Sequence, residues 1–215
     1  MTEPAPAPPA RLPRGRHGLS REQVADVQRR RTMAAMAEVM AEKGYAATTV
    51  ADVIARAGVS RETYYQQFRS KLDCFLAAFD AAADALFAPI RARVDQGARG
   101  TGDRGPADRL EEFDELFGAY LRGITAEPAL ARVFLVEVYA AGPEAMERRV
   151  QLQAAITEAI VALLGAGDDR GRFACQALVA AVSGLVTPLL VADDLPAITA
   201  LREPIVDLAT RSLLA

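Results

Sequence analysis

Residues Thr48–Lys71 read TTVADVIARAGVSRETYYQQFRSK, and this stretch decides the fold. Val50, Val53, Ile54 and Ala57 fall at the i, i+3, i+4, i+7 spacing of a helix with one buried face. Thr49 precedes that stripe and Asp52 lies three residues after it, the T-x-x-D pattern of a capping box. Gly58 can take the left-handed conformation that ends a helix, and Ser60 is a suitable N-cap for the next. The second helix sets Tyr64 and Phe68 on one side and Arg61, Thr63, Gln66 and Gln67 on the others. Two short helices joined by so tight a turn form a helix-turn-helix, whose second helix suits a DNA major groove.

Outward from this unit, every segment with a clear pattern is helical. Ser20 and Gln23 make a capping box for a helix whose buried stripe is Met33, Met36, Ala37 and Met40, ending at Gly44. The first three helices are expected over 21–43, 50–57 and 61–67. Each is too short or too sparsely apolar to stand alone, so they must share a core closed by Val59, Tyr64 and Phe68. Ser70 and Asp73 form a further box opening a helix to about Asp95, in which Pro89 should produce a kink. Gly97–Pro106 is a loop. Helices follow over Ala107–Ile124, Pro128–Ala140, Pro143–Leu164, Asp169–Val191 and Pro196–Leu214, with Pro128 and Pro143 at N1 positions. The expectation is an all-α chain of about nine helices. Its parts are a basic arm at 1–19, a helix-turn-helix domain at 20–70, and a larger helical domain at 71–215.

The 215 residues are enough for a substantial core, and 51% hydrophobic against 25% charged content argues against wholesale disorder. Residues 1–71 carry 12 Lys/Arg against 7 Asp/Glu, a net of +5, whereas the remainder is at −8. A basic front on an acidic body is expected when only one part faces phosphates. No apolar run approaches the roughly 20 residues that span a bilayer, and no export signal is visible, so the cytoplasm is expected and a membrane is not. Cys74 and Cys175 lie far apart with no ligand-spaced neighbours and read as packed thiols. His17 is the single histidine and sits in the arm, which excludes a His-dependent triad or multi-His metal site in the folded body. Phosphate-binding Gly-rich motifs are absent, and Glu111, Glu112, Asp114 and Glu115 face several directions on one helix. No catalytic residue, metal or cofactor is expected.

The helix-turn-helix window resembles the DNA-binding region of the TetR family of bacterial transcriptional regulators. The matching residues are Ala57-Gly58-Val59-Ser60, Thr63, Tyr65, Phe68, Ser70 and Lys71, with Ala41–Tyr45 and Thr48 fitting the first helix and its exit. The likeness spans Arg30 to Leu76. It departs at Gln67, where the family has His or Tyr, at Tyr64, where an aliphatic is usual, and at Leu72, where an acid is usual. The resemblance implies a homodimeric repressor, released from a palindromic operator on double-stranded DNA by a small ligand. It also implies dimerisation through the last two helices.

The chemistry of the second helix allows specific assignments. Arg61 can bridge guanine and Gln66 adenine edges. Thr63 offers a hydroxyl to phosphate and a methyl to thymine, and Tyr65 and Gln67 can donate to phosphate. Glu62 would repel phosphate yet could accept from cytosine. Lys71 opposes the macrodipole of its own helix, a placement a bound phosphate would offset, and the family uses its matching lysine in this way. Thr49 is an N-cap or a second phosphate anchor. Arg11, Arg14, Arg16, His17 and Arg21 form either a minor-groove arm or a solubilising tail, and Arg29-Arg30-Arg31 a solvated or phosphate-facing patch. Phe113, Phe117, Tyr120 and Leu121, with Phe134, Val138 and Tyr139 on the next helix, are either core or the lining of a pocket for a hydrophobic effector. Tyr120, Tyr139 and Arg122 would be its polar handles. The helix Phe173–Leu190, apolar or small almost all round, is either an internal core helix or a dimer seam. Two other readings remain open: an effector-independent architectural DNA-binding protein, and a helical carrier or enzyme without DNA binding.

Overall fold

The computed structural model describes residues 20–97 and 105–214, and all regular structure among them is helical. The basic arm and most of the 97–106 loop lie outside the described residues. Helix α1 runs Arg21–Ala47, α2 Val50–Ala57 and α3 Arg61–Gln67. Ser20 accepts from the Gln23 amide while Gln23 returns a bond to the Ser20 amide, and Thr49 with Asp52 does the same for α2. Gly58 has φ 60° and ψ 39°, and Ser60 Oγ then accepts from the Thr63 amide at 3.0 Å. The helix-turn-helix geometry is therefore written in local capping chemistry.

Helix α4, Lys71–Gly97, runs from the helix-turn-helix into the body and is continuous through Pro89. Ser70 Oγ accepts from the Asp73 amide at 3.0 Å, as expected of a capping box, while the Asp73 carboxylate accepts from the Arg69 amide, one residue upstream of the Ser70 amide. Around α4 sit α5 (Pro106–Ala126), α6 (Pro128–Leu135), α7 (Pro143–Leu164) and α8 (Asp169–Val191). Two shorter segments close the chain, α9 (Leu195–Ala200) and α10 (Arg202–Leu214). One buried cluster extends from Ala35 to Ala209, so the two parts of the chain share a core.

Two expected helices differ in the structure. The one expected over Pro128–Ala140 stops at Leu135 and continues as a short 3₁₀ turn, Glu137–Tyr139. Side chains from elsewhere intervene there. Arg149 of α7 donates to the Phe134 carbonyl at 2.9 Å, and the Glu137 carboxylate is drawn to the Tyr45 amide at 2.6 Å. The last helix breaks at Leu201 into α9 and α10, so ten α-helical segments stand among the described residues, in keeping with the expected nine or so. Pro204 is the physical reason: it has no N–H for the Ala200 carbonyl, and it suits the first turn of a new helix.

The expectation that no segment is apolar enough to cross a bilayer needs correction. Helix α8 meets that requirement by length and composition. It is also poorly covered by the rest of the chain. Phe173 is 71% exposed and Leu185 45%, and Ala177, Ala180 and Gly184 are exposed between them.

Candidate nucleic-acid interface and ligand cavity

The first three helices are held so that α3 presents one face outward. Tyr64 is fully buried, as expected, and its hydroxyl donates to the Ser70 carbonyl at 3.2 Å; burial pushes its pKa upward. Phe68 packs beside it. Arg61, Glu62, Tyr65 and Gln66 are exposed, and Thr63 is half-buried. The Arg61 guanidinium lies 5.4 Å from the centre of the Tyr65 ring and has no hydrogen-bond or ion-pair partner among the described residues. Gln66 donates to Glu62 at 3.3 Å, so these two partly satisfy each other along the helix. Thr63 Oγ1 is 2.9 Å from Ser60 Oγ. Thr49 at the start of α2 is exposed, and its hydroxyl donates to Asp52 at 2.6 Å.

Several residues assigned to phosphate on sequence grounds have structural partners. Gln67 turns toward α1, its amide donating to the Ala25 carbonyl at 3.3 Å. Lys71 donates to the carbonyls of Tyr45 and Thr48 at 2.9 and 3.0 Å, with its ammonium 4.0 Å above the Tyr45 ring. The charge that opposes its own helix dipole thus satisfies the orphan carbonyls at the end of α1. Arg29 donates to the Gln67 carbonyl at 2.9 Å while lying 4.5 Å from the Phe68 ring centre, and Arg31 donates to the Gly58 carbonyl at 3.0 Å. Two of the three consecutive arginines therefore hold the C-terminal ends of α2 and α3. Arg56 bridges Glu38 and Glu42, and Lys43 pairs with Asp52, fixing α2 against α1. Hydrogen bonds from Lys43 and Thr49 hold the Asp52 carboxyl far below the usual carboxylate range.

In the body, an apolar cavity of about 50 Å³ is lined by residues of α4 to α8. Phe113, Phe117, Tyr120 and Phe134 line it, as expected; Leu121 and Val138 are buried but pack elsewhere. Phe117 and Tyr120 stack at 6.2 Å between ring centres, and Phe87 stacks on Tyr120 at 5.2 Å. The expected polar handles Arg122 and Tyr139 are not part of it. Arg122 is exposed, and Tyr139 is 57% exposed beneath the Arg149 guanidinium. The polar side chains that do line the cavity, besides Tyr120, are Gln153 and Ser183. Sequence reading missed these and the α4, α7 and α8 walls, because it ranked aromatic clusters on neighbouring helices. Ile156, Ile160 and Leu163 nevertheless fall at helical spacing on one face of α7 and could have been found that way.

One link joins the cavity to the helix-turn-helix. Phe134 lines the cavity, and three residues later Glu137 holds the Tyr45 amide just past Gly44. Lys71 of α4 grips the same turn from the other side.

A family model for "Bacterial regulatory proteins, tetR family" matches residues 33–78, the segment that builds α1 to α3. The segment that builds the helix-turn-helix is thus of the TetR type. A curated relative is the HTH-type transcriptional activator FasR of Mycolicibacterium smegmatis, 35% identical over 92 residues. That alignment spans 43% of this chain and only 39% of the relative. Solved structures align over most of the chain. The fatty acid degradation regulator FadR from Bacillus halodurans superposes with a TM-score of 0.71 at 21% identity, covering 85% of this chain and 94% of that one. FadR from Bacillus subtilis, solved with stearoyl-CoA, gives 0.66 at 19% identity, covering 84% and 96%. These two likenesses show that the chain shares their fold.

Proposed function

We propose that the protein is a sequence-specific DNA-binding transcriptional regulator that acts as a homodimer and is released from a palindromic operator by an apolar ligand. The observation that carries the reading is α3. Its inner side is locked by Tyr64 and Phe68, and its outer side offers Arg61, Thr63, Tyr65 and Gln66 to a groove. A two-fold dimer presents two such helices, which calls for two half-sites in a pseudo-palindrome. Binding by the full chain to its own upstream region, compared with scrambled DNA at moderate salt, tests this. Equal affinity for both overturns it.

The dimer reading rests on α8. Phe173, Ala177, Ala180, Gly184 and Val191 are exposed at spacings of three, four and seven, a seam of the type that buries against another helix. Small residues in its middle allow close approach. Exposed Leu208 of α10 can extend the seam.

The ligand reading rests on the cavity, whose lining is almost wholly apolar. At about 50 Å³ it is far below the roughly 300 Å³ at which ligand sites begin. An occupant must push the surrounding helices apart. Since α6 carries a cavity wall at Phe134 and leads directly into the 3₁₀ turn whose Glu137 contacts Tyr45, such displacement would shift α1 and the reading helices. The ligand thereby favours a DNA-incompetent arrangement. A long hydrocarbon chain suits these walls, and the Bacillus subtilis neighbour's stearoyl-CoA carries one. Repression follows if the operator overlaps the promoter; the same release switches a gene off if bound protein recruits polymerase, as the word activator in the relative's name requires of that protein. A promoter-fusion assay with and without the chain distinguishes the two.

A further inference from the structure

The apolar cavity does not end at its own walls. Gln153 of α7 and Val179 of α8 line it and also line an adjoining groove of about 410 Å³ between the outer faces of those helices. A molecule whose tail fills the cavity would emerge past these two residues, and its head would lie in the groove. The chemistry of the groove therefore selects the head group.

The groove mixes apolar surface from Val150, Ala154, Val179 and Ala180 with polar side chains, and it carries no net charge. Its charged residues are Arg172 and Glu158, which neutralise one another through bonds of 2.7 and 2.8 Å from one guanidinium nitrogen to both carboxylate oxygens. Arg172 is further occupied by the Gly167 carbonyl at 3.2 Å. The uncommitted groups are neutral. The side-chain amides of Gln153 and Gln176 have no hydrogen-bond partner among the described residues, and neither does the hydroxyl of Ser183 just inside the cavity. Thr157 donates to the Gln153 carbonyl and keeps acceptor capacity.

Phosphate-bearing heads need cations, and these are scarce here. No lysine follows Lys71 in the sequence. Among the described arginines of the body, Arg91, Arg148, Arg202 and Arg211 are in ion pairs with aspartates. Arg109, Arg132 and Arg149 donate to backbone carbonyls. Arg122 and Arg170 are exposed, and neither lines the cavity or the groove. A coenzyme A head, with its pyrophosphate and ribose phosphate, would find no cluster of donors to replace its water.

We infer that the effector site takes a long-chain amphiphile with an uncharged hydrogen-bonding head, such as an alcohol or an ester, in preference to an acyl-CoA or a free fatty acid. The head sits between Gln153, Thr157 and Gln176, with the chain threaded past Val179 into the cavity. This rests on the cavity reading above and adds the class of head group.

The test is calorimetric titration of the purified full chain with lauryl alcohol, methyl laurate, lauric acid and lauroyl-CoA, all below their micelle-forming concentrations. The two neutral compounds should bind at least about tenfold tighter than lauroyl-CoA. Gln153→Ala should weaken lauryl alcohol about tenfold, the equivalent of one hydrogen bond. Glu158→Gln leaves Arg172 without its carboxylate partner, so lauric acid should gain affinity several-fold. Thermal melting of the unliganded variants confirms that each is folded. Lauroyl-CoA binding as tightly as the neutral compounds overturns the head-group inference and leaves the cavity reading standing. Affinities unmoved in both variants overturn the placement of the head in this groove. Silence from all four compounds overturns the cavity reading and this inference with it.

Discussion

Lys71 shows how one residue can match a family pattern and still have a local task. Its ammonium closes the end of α1 through two carbonyls and a ring. Hydrogen bonds to a charged group contribute about 1.5–3 kcal/mol each when intact, and less when partly exposed. Lys71→Ala should therefore lower unfolding stability by about 1–3 kcal/mol in urea titrations. It should weaken all DNA sequences alike. Arg61→Ala should behave in the opposite sense. It is exposed and partnered by Tyr65 alone, so stability should change by no more than about 0.5 kcal/mol. Operator affinity should fall by about 1–3 kcal/mol per half-site with relaxed base preference. Two variants with the same profile would refute this division of roles. The cysteines give a simpler expectation. Both are fully buried, and burial pushes the Cys74 thiol up to about 12. Neither thiol should react with an aromatic disulfide reagent at neutral pH until the protein unfolds, because the reactive thiolate is absent and shielded.

At the scale of the element, the turn at Gly44 is where the cavity-bearing body and the helix-turn-helix meet. Gly44 has φ 76° and ψ 162°, a region open essentially to glycine alone. A Cβ there would find room, with Glu137 Oε2 at 3.7 Å, so any penalty is conformational. Gly44→Ala should cost about 1–3 kcal/mol, read as a lower Tm. Glu137→Ala removes the acceptor for the Tyr45 amide and so cuts the link from α6 to α1. Ligand and operator should then each still bind, while the ligand's ability to weaken DNA binding is reduced. Because coupling is reciprocal, the weakening of ligand affinity by DNA must fall by the same factor. Full coupling retained in this variant, measured by titrating ligand with and without operator, would show that the signal travels by another route.

The whole molecule turns on α8. A helix of this length and composition with so much exposed apolar surface needs a covering partner, and a second copy of the same helix meets that need. Ala180→Glu and Leu185→Glu place a charge on the seam without disturbing the protomer core, since both positions are exposed in a single protomer. Light scattering should report monomers that retain helical circular dichroism. Such monomers should lose far more operator affinity than one half-site supplies, because each dimer binds both half-sites at once. An unchanged dimer in both variants would locate the interface on other helices.

The sequence by itself determined the local structure. Capping boxes, Gly58, Ser60 and the N1 prolines set α2, α3 and α7 at their observed bounds, because those signals act within one turn of the chain. The charge asymmetry and the spacing of Tyr64 and Phe68 likewise made the helix-turn-helix and its outward face legible. Only the tertiary structure decided which polar side chains remain available. Lys71, Gln67, Arg29 and Arg31 reach carbonyls 23 to 42 residues away, and no local pattern encodes such partners. The same is true of the early stop of α6, imposed by Arg149 and Glu137, and of the cavity, assembled from five helices. A hydrophobic period shows which face of a helix is buried. What that face meets, and whether a gap is left between, depends on side chains brought together from distant parts of the chain.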